Sequence, residues 1–170
     1  MASKLQSTPE WIWAPLSAGV LSVVIGATGV WAGLPWLFPS LGPTIFLQVH
    51  KPDQESSKPY NVVLGHALGI LAAVTGVVVT GAGAAPSVLS SNELTWPRVW
   101  AAVIAMVLTL AAQVPLKASH PPAAATALLI ALGGFSLKWR DMAVLAAGIL
   151  LTAVLGEILR RLRSSGPMTG

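Results

Sequence analysis

Apolar residues run along this chain in four long blocks, 16–34, 62–82, 99–116 and 141–159, with polar and aromatic residues gathered between them. A helix rises about 1.5 Å per residue and a bilayer core is about 30 Å thick, so roughly 20 apolar residues suffice for one crossing. Each block therefore predicts a transmembrane helix. Trp11, Trp13, Trp31, Trp36, Trp96, Trp100 and Trp139 fall near the block ends, where an amphipathic ring sits best among headgroups. Lys4, Pro9, Glu10, Trp11 and Trp13 precede the first block, and no small-residue cleavage site closes a short apolar core. The first block is thus expected to be a retained span and not a cleaved signal.

Two further stretches fit neither a loop nor an ordinary span. Residues 35–49 are apolar but carry Pro35, Pro39 and Pro43, and residues 119–133 open on Ser119-His120-Pro121-Pro122 before a helical pattern resumes. Proline suits the first helical turn, where its missing N–H would lack a partner anyway, and it disfavours helix just before it. Each stretch predicts a break followed by a short helix. Irregular backbone at membrane depth survives only where protein or a wet cavity satisfies its polar groups, so such breaks mark candidate sites.

A shift of 79 residues brings these stretches into register, placing Ser40 on Ser119, Pro43 on Pro122, and Gly69-Ile70-Leu71 on Gly148-Ile149-Leu150. The match predicts an internal duplication with units at about 16–82 and 95–161, each reading span, break, short helix, span. If the short helices do not cross the bilayer, Lys and Arg divide five to five between its sides and say nothing about orientation. If they cross, Lys4, Lys51, Lys58, Lys117, Arg160, Arg161 and Arg163 share one side against Arg98, Lys138 and Arg140 on the other. That seven-to-three bias favours six segments in two inverted triplets, with both termini cytoplasmic. The expected fold is an all-α integral membrane protein of four long and two short, proline-broken helices. One domain fills 16–161, between an N-terminal segment of 1–15 and a flexible tail of 162–170.

Composition sharpens the exclusions. Of 170 residues 54% are hydrophobic and 9% charged, with mean hydropathy +0.72, against roughly 25% charged in an average soluble domain. An ordinary soluble enzyme is excluded. The formal charge of +4 comes from scattered or terminal basic residues, so nucleic acid is not an expected partner. With no cysteine there is no disulfide, thiolate metal site or cysteine nucleophile.

Few ionisable groups fall inside the proposed spans, and each is a functional candidate. Glu157 has Arg160 and Arg161 at i+3 and i+4 and reads as an interfacial ion pair. His66 follows Gly65 in the second span, as an interfacial histidine or a functional one. His120 sits at the second break, where a helix start offers free N–H groups and the positive end of its dipole to an anion. Ser119 reads as an N-cap or as part of the same site. Its repeat partner Ser40 leads Gly42-Pro43-Thr44, a second helix start. Two such starts aimed at one point, with hydroxyls of Ser40, Thr44 and Ser119 and the His120 imidazole, suit a small anion. Lys117 either raises the local potential or snorkels. Three histidines spaced by 16 and 54 residues match no metal-ligand pattern, and neither a metal nor a cofactor is expected. Gly29-xxx-Gly33, Gly65-xxx-Gly69 and Gly76 read as packing positions, within the protomer or across a dimer.

These residues also carry a resemblance. Pro39-Ser40-Leu41-Gly42-Pro43-Thr44, then Pro59-Tyr60-Asn61 with Gly65-His66, then Ser119-His120-Pro121-Pro122 with Thr126, resemble in that order the HPP family of integral membrane proteins. The likeness covers about residues 15–161. Relatives often read Phe-Gly-Ala-Ser or Phe-Gly-Ala-Thr where this chain has Leu41-Gly42-Pro43-Thr44, and some carry a soluble regulatory domain that is not expected here. The family is described as having four transmembrane helices, and its cyanobacterial and chloroplast members are associated with nitrite transport. The resemblance therefore implies transport of a small inorganic anion, most simply nitrite, across a bacterial inner (plasma) membrane. The helix-start reading and the family motifs together give an expected anion site of His120, Ser119, Ser40, Thr44, Gly42, Pro121 and Pro122, with His66, Asn61 and Lys117 gating or proton-linked. The other readings are an anion channel, a non-transporting binding or scaffold module in the membrane, and last a metal-using membrane enzyme. Lipid and a second copy of the chain, as a dimer, are the expected partners.

Overall fold

A computed structural model describes residues 8–164, so Lys4 and the greater part of the expected tail lie outside the described residues. The chain forms α1 (Glu10–Ala32), α2 (Leu41–His50), α3 (Pro59–Thr80), α4 (Trp96–Gln113), α5 (Pro122–Ala131) and α6 (Trp139–Ser164), with short helical turns at Glu55–Ser57, Ala82–Ala84 and Val88–Ser91. Among the described residues there is no strand, and α1, α3, α4 and α6 are long and apolar enough to cross a membrane.

The helices start two to six residues before the apolar blocks do. Pro59 opens α3 and Pro97 lies in the first turn of α4, where proline fits a helix start. Pro15, within α1, forfeits one backbone bond without ending the helix. At the far ends glycine stops the helix before the apolar run is exhausted. Gly33 and Gly81 take left-handed conformations, φ 65° and 67°, and Gly33 N–H with Leu34 N–H cap the carbonyls of Val30 and Gly29. The expected ends at 34 and 82 are thus corrected to 32 and 80.

Polar contacts fix which helix ends lie together. Glu10 at the start of α1 pairs with His50 at the end of α2 (3.5 Å) and with Arg163 near the end of α6 (2.6 Å). Tyr60 at the start of α3 donates to the Leu116 carbonyl just past α4 (3.1 Å). Glu157 accepts from Arg160 and Arg161 at 2.7 and 2.6 Å, the ion pair that their spacing predicts. At the opposite end Arg98 of α4 donates to carbonyls of Ala85, Pro86 and Ala131, the last residue of α5. Both short helices therefore begin inside the bundle and end at opposite poles of it.

The exterior is the apolar side. Val23, Val30, Trp31, Val79, Leu110 and Val154 are exposed, whereas Ser40, Thr44, His66, His120 and Thr126 are buried. Lipid solvates such a surface without cost, and buried polar groups must then satisfy one another. Glycine permits the tight core. A Cβ on Gly69 would lie 2.7 Å from the Ala123 carbonyl oxygen, and one on Gly148 would lie 2.6 Å from that of Trp36. These two glycines, paired by the 79-residue shift, each admit the backbone of a broken segment, α3 against α5 and α6 against the stretch before α2. Packing within the protomer accounts for them, as it does for Gly76, which faces the Ala101 carbonyl.

Candidate functional site

The break before α5 is shaped by local hydrogen bonding. Gln113, in the last turn of α4, accepts from the His120 backbone N–H (3.1 Å) through Oε1 and donates to the Gly65 carbonyl (3.1 Å) through Nε2. Asn61 Nδ2 donates to the carbonyls of Lys117 and Ser119, both at 3.2 Å. The chain between α4 and α5 is thereby held against α3. Gly65 completes the approach, since a Cβ there would lie 2.6 Å from the His120 Cβ. His120 and His66 consequently meet edge to face, their ring centroids 4.8 Å apart.

Around these rings Ser40, Thr44 and Thr126 close a network at 0–1% exposure. The Ser56 carbonyl lies 2.6 Å from His120 Nδ1 and can only accept, so this nitrogen carries the proton. With both rings neutral, His120 Nε2 is then an acceptor. It faces Thr44 Oγ1 at 3.1 Å and His66 Nε2 at 3.2 Å. His66 must therefore be protonated on Nε2, which donates toward Thr44 Oγ1 (3.0 Å), while Thr44 donates onward to His120. His66 Nδ1 accepts from Thr126 (2.8 Å), whose oxygen accepts from Ser40 (2.7 Å). The result is one directed chain of hydrogen bonds, Ser40 to Thr126 to His66 to Thr44 to His120 to Ser56. Every member has a partner, which removes the cost of about 1–3 kcal/mol that each unsatisfied buried group would carry.

The cluster unites Ser40, Thr44, His66 and His120 of the residues singled out from the sequence. It leaves Ser119, Gly42, Pro121 and Lys117 exposed, and Pro122 buried beside it without a polar role. Asn61 holds backbone and does not reach the rings. Nor do the two helix starts present free N–H groups at one point. Leu41 and Gly42 N–H already donate to Phe38 and Pro39 carbonyls, and Ala123 and Ala124 N–H to those of His120 and Pro121. The N-cap position of α5 is Pro121, not Ser119. Proline-rich breaks turn tightly enough to satisfy their own first turn, and the two serines matched by the 79-residue shift part company, one buried and one exposed.

Sequence reasoning did not place Thr126, Gln113 or the Ser56 carbonyl at the site, although Thr126 stands in the motif that carries the family likeness. Gln113 carried a readable signal as an uncharged polar residue in the last turn of an apolar span. Thr126 did too, four residues after Pro122 and so on the same face of α5. The role of Ser56 carried none, because it is backbone. No carboxylate among the described residues bonds to either ring, and no group of three metal-ligating side chains occurs among them; His50 sits at the surface with Glu10. Thr126→Val keeps the volume and removes the hydroxyl that bridges Ser40 and His66. It is expected to lower stability by about 1–2 kcal/mol in thermal melts. Ser119→Ala is expected to stay within about 0.5 kcal/mol of wild type.

No curated protein and no solved structure matches. The family profile described as HPP, transmembrane region, matches residues 3–167, nearly the whole sequence. Spans, breaks and buried histidines thus lie within one matched region, and the chain belongs to the HPP transmembrane family, as an integral membrane protein.

Proposed function

We propose that the protein is a transporter and not an enzyme, and that it carries a small inorganic monoanion, nitrite first among candidates, together with a proton. The observation that carries this reading is the pair of buried imidazoles, to which no carboxylate among the described residues bonds. A proton added to the cluster alone would leave a buried cation, and an anion bound alone would leave a buried negative charge; each is costly in a low-dielectric interior. Together they make a neutral load. Nitrite is charged at neutral pH, so lipid is a barrier to it, and histidine is the side chain best suited to take and release the accompanying proton. The cluster's near-zero exposure favours a carrier, which opens to each side in turn, over an open channel.

The positions of the helix ends support six crossings in two inverted triplets, the arrangement in which broken helices meet at a transport site. Lys51, Lys58, Lys117, Arg160, Arg161 and Arg163 then share the side of the termini, which we place in the cytoplasm of a bacterial inner membrane.

Proteoliposomes loaded with a pH-sensitive dye test the coupling. At neutral pH an inward nitrite gradient is expected to acidify the lumen of vesicles containing wild-type protein faster than that of protein-free vesicles, which report passive nitrous acid leakage. The rate is expected to saturate with nitrite. Saturable nitrite uptake without acidification would refute proton coupling, and equal uptake in both vesicle sets would refute transport.

A further inference from the structure

At the pole opposite the termini lies a cavity of about 350 Å³ whose wall includes Val77, Arg98, Ile130, Gly133, Ser136 and Lys138. Arg98 is 95% buried, at 5% exposure, in a chain with little charge to spare. Its guanidinium has five N–H groups. Three donate to the carbonyls of Pro86 (3.1 Å), Ala131 (3.1 Å) and Ala85 (2.8 Å), leaving two. No carboxylate among the described residues pairs with it. Asp141, three residues after Lys138 of the cavity wall, accepts from Ser136 N–H (2.8 Å) and Oγ (2.6 Å) through its Oδ2. The three carbonyls orient the guanidinium without neutralising it.

Gly133 shows where the charged head lies. Its backbone takes φ 86°, and a Cβ there would stand 2.7 Å from an Arg98 terminal nitrogen and 2.9 Å from its Cζ. The guanidinium therefore rests against a residue that itself lines the cavity. Lys138, exposed on the same wall and within Coulombic reach of the Asp141 carboxylate, adds a second cationic group. The volume exceeds a water's share of about 30 Å³ many times over and admits a partly hydrated oxyanion. A planar fork with a full charge is the group that best recognises two oxygens of one anion.

Ile130 of the cavity wall, 1% exposed, lies one helical turn along α5 from Thr126 of the histidine cluster. We propose that Arg98 and Lys138 form a second oxyanion site, an outer station at the pole opposite the termini, with Ile130 as the plug between it and the histidine cluster. The role as a station rests on the transport reading; oxyanion binding does not. A soluble oxyanion such as nitrite and the phosphate of an anionic lipid offer the same chemistry to this site.

The test uses full-length protein in nanodiscs, read by thermal unfolding, with nitrite replacing gluconate at constant ionic strength. His66→Ala removes the inner cluster, so nitrite stabilisation that persists in this variant reports another site. Lys138→Gln, added to His66→Ala, is expected to raise the nitrite concentration for half-maximal stabilisation about threefold, the size of one exposed charge contact. Arg98→Lys in the same background is expected to raise it by about tenfold or more through loss of the fork. In phosphatidylcholine discs nitrite stabilisation supports a soluble ligand. Stabilisation only by added phosphatidylglycerol, with the same dependence on both side chains, supports the lipid phosphate. Absence of both effects in His66→Ala, or their survival unchanged in Lys138→Gln, would overturn the site. If Arg98→Lys or the His66→Ala background does not fold, Lys138→Gln in otherwise wild-type protein decides, because Lys138 does not touch the cluster and a threefold shift there reports the outer site alone. Failure of nitrite flux with binding retained would reject the transport reading and leave the oxyanion site standing.

Discussion

His66→Ala is expected to reduce nitrite-driven flux by about 100-fold, the rate equivalent of about 2.7 kcal/mol, and to lower stability by about 3 kcal/mol or more. His66 is the central member of the chain of hydrogen bonds, with Thr126 on one ring nitrogen and Thr44 and His120 on the other. Truncation deprives all three neighbours of a partner at once, in a pocket closed to water. It also breaks the run of hydrogen bonds that joins Thr126 to His120, the route along which a proton would move in the proposed mechanism. Flux in proteoliposomes and thermal melting of the purified protein separate the two effects. Normal flux in a folded His66→Ala protein would remove the imidazole pair from the mechanism.

The second large effect is expected from a single methyl group. Gly65→Ala would place its Cβ 2.6 Å from the His120 Cβ and 3.2 Å from the Ala118 carbonyl oxygen. Neither neighbour is a flexible side-chain end, so α3 or the break must shift, at a cost of about 1–3 kcal/mol. His120 would move with it, and the contact with Ser56 at the far end of the chain would open. Gly19→Ala is the control, because nothing lies within 4 Å of a Cβ there. Alanine is the better helix former, so that variant is expected to match or slightly exceed wild-type stability. Equal melting temperatures for the two variants would show that the close approach at Gly65 is not needed.

Much of the architecture was legible because lipid imposes a simple rule. A run of about 20 apolar residues has few alternatives to a spanning helix, and α1, α3, α4 and α6 all follow from it. Proline placed the starts of α2 and α5 to within about three residues, since its ring permits helix after it more readily than before it. The ion pair at Glu157 followed from i+3 and i+4 spacing alone. Helix ends were less legible. Gly33 and Gly81 stop α1 and α3 through left-handed caps while the sequence is still apolar, and hydropathy does not register backbone conformation.

The candidate site divides in the same way. Its histidines and the hydroxyls of Ser40 and Thr44 were visible because polar groups are scarce in apolar surroundings. Ser119 was read with them because local pattern cannot tell the two faces of a break apart, and the structure turns Ser119 outward and Thr126 inward. Arg98 entered the sequence reading only in the count of basic residues on each side, and it is the fold that closes the carbonyls of Ala85, Pro86 and Ala131 over it. By itself the sequence determined the solvent, the number of long spans, the two breaks and the chemical types available inside. Only the tertiary structure decided which of those groups face each other, because contacts such as His66 with His120 and Ser40 with Thr126 join residues far apart in the chain, through backbone approaches that glycine allows and no local periodicity records.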